Sequence, residues 1–171
     1  GAFKSGKSIY INLHDSHEEQ ILTTLKHEIF HILIGENFSG IHIPRWFEEG
    51  CALFFSNDLF PQSSQIMSKN VSSKSLLSFQ EIENVNSYQK NKALLAYAQS
   101  YEAVQIIQKY YQPLPFIRIF SQLKKEQDWE KAFRMTFHID QDLFEKRVLD
   151  SIRKNYKNRF FLDIHSLLWT L

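Results

Sequence analysis

The sequence predicts a mostly helical α+β domain. Fifteen Phe against five Gly in 171 residues favour helices with aromatic faces over a turn-dense β-sandwich. One β-branched and aromatic run, residues 9–13, reads as a short strand near the head of the chain. Behind it come several stretches whose apolar residues recur at helical spacing. The expected architecture is a small edge sheet packed on the first long helix, followed by a C-terminal helical lobe.

Each element has a local reason. Ser16 is placed as a helix N-cap, with Glu18 and Glu19 in the first turn, where the helix dipole favours anions. From residue 21 to 34 the apolar positions are too broad for one surface stripe, so this helix is expected to be buried on most sides toward its C-terminal end. Gly35 is its natural stop. A loop over 36–43 leads to Pro44, which suits the first turn of a second helix over 45–56 carrying Trp46, Phe47, Leu53, Phe54 and Phe55. Residues 61–78 hold seven serines and no period, the mark of a long loop. Helical patterns then cover 91–110, 115–126 and 129–136. A last one begins after Asp140, with Asp142, Leu143, Val148 and Ile152 in register.

Composition narrows the function. Twenty Lys+Arg against nineteen Asp+Glu leave a net charge of +1, without the basic surplus of a dedicated nucleic-acid binder. A single cysteine, Cys51, excludes an intrachain disulfide and any multi-cysteine metal site, and it reads as a small packing residue. No run reaches the ~20 apolar residues of a membrane span.

The chemistry lies in His27-Glu28-Ile29-Phe30-His31, an H-E-x-x-H pattern inside the first long helix. Residues four apart share a helix face, so both imidazoles can reach one metal ion. Glu28 leaves the same turn at an angle that can address a metal-bound water without ligating the metal. An open metal site needs a third protein ligand. A metzincin-type continuation would require Gly at 34 and His at 37, where this chain has Ile34 and Asn37. The candidate is therefore Glu49, separated from His31 by seventeen residues, in Trp46-Phe47-Glu48-Glu49-Gly50-Cys51-Ala52. Gly50 and Ala52 beside it permit close helix approach. Glu48-Glu49 taken alone would be a solvated pair on a helix face. His42 is the one histidine near enough in sequence to rival Glu49; the remaining ones are scattered.

These two motifs together resemble the gluzincin zinc peptidases. The closest likeness is to the bacterial peptidase MA-like group, related to aminopeptidases whose second motif reads W-L-x-E-G-x-A. The resemblance implies a zincin fold and a zinc ion held by His27, His31 and Glu49, with Glu28 as the catalytic base. It also implies a peptide or protein substrate. Residues 96–101, which include Tyr97 and Tyr101, resemble the family's later helix, where a tyrosine stabilises the oxyanion; Tyr97 is the favoured position and Tyr101 lies one turn on. Residues 128–133 and 143–145 resemble the family's C-terminal helix pair. The glycine-rich exopeptidase loop is missing before His27, so the aminopeptidases' amine anchor does not carry over. The E-x-x-x-D pattern of thermolysin-like enzymes is absent too, because Leu53 stands four residues after Glu49.

In the expected mechanism, Glu28 takes a proton from the attacking water and passes it to the leaving amine. A tyrosine hydroxyl meets the tetrahedral oxyanion, and the strand over 9–13 can pair with an extended peptide. The alternative is a zincin-fold binding or scaffold domain that keeps the metal without turnover. The expected organisation is one domain over 1–158 and an apolar tail over 159–171. A basic run over 153–159 precedes that tail, the usual border of an interfacial anchor or membrane helix. Membrane association through the tail, at a bacterial membrane or cell envelope, is the corresponding expectation.

Overall fold

The computed structural model describes residues 2–5, 8–11 and 18–157, the first two stretches by their backbone alone. The Ser16 cap, the end of the expected strand at residues 12–13, and the tail over 159–171 with its membrane role lie outside the described residues.

The α+β expectation is overturned. The described chain is helical almost throughout, with eight α-helices. Extended backbone is confined to one antiparallel hairpin of two four-residue strands, β1 (Ala2–Ser5) and β2 (Ser8–Ile11), paired Ala2 to Ile11 and Ser5 to Ser8. Two short strands do not make a layer that can carry a core. The core is formed by helices packed on helices.

The helices run in order: α1 (Glu18–Asn37), α2 (Arg45–Ser56), α3 (Ser63–Ser72), α4 (Phe79–Ile82), α5 (Lys90–Tyr110), α6 (Pro115–Glu126), α7 (Trp129–Phe137) and α8 (Gln141–Tyr156). A single 3-10 turn, Val85–Ser87, precedes α5. The expected α2 and α6 match at both ends. Three expectations fail, each for a physical reason.

First, α1 does not stop at Gly35. It runs on to Asn37, whose side-chain amide donates to the Leu33 carbonyl (2.8 Å), because Phe38 just beyond is buried against Phe120 and anchors the extra turn. Second, no residue of α1 is fully buried. Its face toward α2 is half-covered through Phe30 and Ile34, while Leu22, Ile29 and Leu33 are exposed on the opposite side. Third, the serine-rich stretch is not a loop throughout, since it contains α3. Met67 and Ser68 are buried there, and Ser68 Oγ donates to the Tyr156 carbonyl of α8 (3.3 Å), so tertiary packing overrides weak local propensity.

Helices α2 and α5 form the centre. Gly50 of α2 lies against α5 so closely that a Cβ there would run into the Ser100 carbonyl and come within 2.7 Å of Val104 Cγ2. Above this contact sits an aromatic cluster. Trp46 stacks on Phe79 (4.2 Å between centroids, 11° between planes) and meets Phe133 and Phe144 edge-on or tilted. Both indole N–H groups of Trp46 and Trp129 donate to one acceptor, Gln141 Oε1 at 3.2 and 2.7 Å, which ties α2, α7 and α8 together. Ser78 starts α4 with a capping box and Asp128 caps α7 through the Lys131 N–H (2.7 Å). Gln99 of α5, wholly buried, matches both backbone groups of Leu77 at 2.8 Å and so fixes the segment between α3 and α4.

Candidate metal centre

Two helices build the site. On α1, His27 and His31 stand four residues apart and present their rings to the same side, with centroids 4.9 Å apart. On α2, Trp46 and Phe47 are fully buried and Gly50 is held against α5, so the rotation of the helix is set. That rotation turns Glu48 and Glu49 toward α1. Glu49 is 3% exposed, a carboxylate withdrawn from water that needs partners.

Its partners are the two imidazoles. Glu49 Oε2 lies 3.5 Å from His27 Nε2 and 3.4 Å from His31 Nε2, and the two nitrogens are 3.2 Å apart. Three donor atoms thus form a nearly equilateral triangle. A tetrahedral zinc site with bonds of about 2.0–2.1 Å requires donors about 3.3–3.4 Å apart. The triangle has the dimensions of one face of such a tetrahedron. Among the described residues, this group of two imidazoles and a carboxylate fits a metal ion with a fourth position left for another ligand.

A second layer of contacts surrounds the triangle. His31 Nδ1 is 2.7 Å from Glu48 Oε1. Arg45, in the first turn of α2, donates through Nη1 to Glu48 Oε2 (3.2 Å) and through Nη2 to Glu49 Oε1. Its own backbone N–H is held by Glu83 Oε1 at 2.9 Å. Burial works against charging His31, but hydrogen bonds to Glu48 and Glu49, and the charges of both carboxylates, outweigh it and push its pKa up to about 9. Burial also opposes ionisation of Glu49; bonds from His27 and His31, with the charges of His31 and Arg45, bring its carboxyl well below the usual range.

Tyr97 of α5 completes the surroundings. Burial raises its phenol, the charges of Glu49 and Glu28 raise it further, and Arg45 acts in the opposite sense. Tyr97 thus feels Glu49, Arg45 and Glu28 and stays protonated, the form that donates a hydrogen bond. Tyr101, one turn on, packs toward Phe54 instead, with ring centroids 6.3 Å apart. Glu28 is half-buried on the same turn as His27. His42 stands apart from the triangle: its side chain is 77% exposed and faces Glu83 at 3.6 Å. Cys51 is buried as a packing residue, its thiol raised by burial and by the charge of Glu48.

The roles of Glu48 and Arg45 are what a reading of the sequence missed. Glu48 and Glu49 are not a solvated pair; both side chains are turned inward, 16% and 4% exposed. Half of the signal was present, because Arg45 stands three and four residues before the two glutamates, the spacing of intrahelical ion pairs. The bond from His31 to Glu48 crosses between helices, and no local pattern encodes it.

Comparison with known proteins agrees with this geometry. The family model of the Peptidase MA superfamily matches residues 2–154, most of the chain. No curated protein and no solved structure matches.

Proposed function

Starting from a chain that belongs to the Peptidase MA superfamily, we propose that it is a zinc metallopeptidase in which His27, His31 and Glu49 hold the metal. The donor triangle with sides of 3.2–3.5 Å is the observation that carries this reading. Zinc, when bound, supplies Lewis acidity that lowers the pKa of a water and polarises the scissile carbonyl.

The chain's own groups do the rest. Glu28, next to His27 but outside the triangle, accepts the proton of the attacking water and returns it to the leaving amine. Tyr97, protonated and on the neighbouring helix, donates its hydroxyl to the tetrahedral oxyanion. The substrate is a peptide or protein. No helix among the described residues is long and apolar enough to cross a membrane. Membrane association through the segment 159–171 remains part of the proposal.

The test is Glu28→Gln, an isostere that cannot accept the proton. Zinc content and thermal unfolding should match the wild type while hydrolysis of a peptide library falls by several orders of magnitude. Wild-type cleavage rates in that variant would remove Glu28 from the mechanism.

A further inference from the structure

A metal-binding imidazole works best when its second nitrogen is held, because that bond fixes the tautomer and the ring orientation. The two histidines differ in this respect. His27 Nδ1 is buried and makes no hydrogen bond among the described residues. His31 Nδ1 lies 2.7 Å from Glu48 Oε1. With its proton on Nδ1, His31 leaves Nε2 bare, and Nε2 is the atom in the donor triangle. The other Glu48 oxygen is not free to turn toward the triangle, since Arg45 Nη1 holds it at 3.2 Å. Arg45 is itself fixed through its backbone N–H to Glu83 (2.9 Å). Each oxygen of Glu48 therefore has its own donor, one on α1 and one on its own helix.

We propose that Glu48 is the positioning residue of the metal centre, fixing His31 with Nε2 directed at the metal while Arg45 keeps the Glu48 carboxylate from becoming a ligand. This deepens the zinc reading above and rests on it. The carboxylate next to the ligand Glu49 thus has a separate task, and the pair Glu48-Glu49 divides into one residue that orients and one that binds. A residue that merely pairs with Arg45 on the helix surface would affect the stability of the fold and leave metal affinity alone.

The experiment measures zinc affinity of the full chain by competition with a chromophoric chelator, alongside ¹⁵N-imidazole NMR of the zinc-loaded protein. Glu48→Ala should weaken zinc binding about 10- to 100-fold, the usual range for loss of such a partner, and should abolish the protected His31 Nδ1–H signal. Glu48→Gln keeps an acceptor oxygen without the charge, so its loss should fall at the lower end of that range, about 10-fold. If the alanine variant does not fold, the glutamine variant decides. Wild-type zinc affinity in either folded variant, whatever its melting temperature, overturns the role of Glu48 and leaves the metal centre standing. A wild-type chain that takes up no zinc overturns the metal centre, and this inference with it.

Discussion

Glu49 shows how far a single residue can be read. Its position after Trp46-Phe47-Glu48 and before Gly50 marks it as the partner of the two histidines, and the structure brings its Oε2 within 3.5 Å of both. His27 and His31 were legible for a simpler reason, since four residues on a helix return to one face. Glu48 was not legible, because its meaning depends on a ring carried by another helix. Tyr97 and Tyr101 could not be separated by sequence spacing alone. The structure separates them by environment: Tyr97 responds to Glu49, Glu28 and Arg45, while Tyr101 packs toward Phe54. Tyr97→Phe is expected to lower kcat by about 10²-fold if its hydroxyl is the sole protein donor to the oxyanion, with KM little changed. Steady-state kinetics on a cleaved peptide checks this, and the same loss in Tyr101→Phe instead would transfer the role.

The elements differ in how they are held. Helix α2 is buried on most of its length and locked to α5 at Gly50, so Glu48 and Glu49 stand on a rigid support. Helix α1 has no fully buried residue and exposes Leu22, Ile29 and Leu33. Its hold on α2 depends on Phe30, Ile34 and the polar contacts of the two histidines. A metal ion shared by α1 and α2 is therefore a cross-link to a helix that has no fully buried residue of its own, and binding to the folded state alone stabilises by about 4 kcal/mol at a thousandfold excess over Kd. Hydrogen exchange should show the amides of residues 24–34 more protected with zinc than with a chelator, while those of α5 change little. Equal protection of α1 in both states would mean that the metal does not join the helices. The same contrast explains the misreadings. Apolar breadth in α1 suggested burial that its neighbours among the described residues do not provide, and α3 forms only because α8 is there to cover Met67 and Ser68.

At the scale of the molecule, the helices were legible from their periodicity and their caps. The fold class was not. The strand-like run at residues 9–13 suggests a sheet, whereas the described chain makes only a hairpin and places its core among helices, chiefly α2, α5, α6, α7 and α8. That core is aromatic, with Trp46 and Phe133 touching each other and both Trp129 and Phe144, and its task is to hold α2 at the angle that presents Glu49 to α1. This arrangement is expected to bind one zinc ion through three protein ligands. Metal analysis of the purified chain after dialysis tests it most directly, with His27→Ala, His31→Ala and Glu49→Ala measured beside it. One zinc per chain in the wild type, and sharply less in each variant, is the expected result. Full zinc content in Glu49→Ala, with loss in His42→Ala instead, would contradict the account.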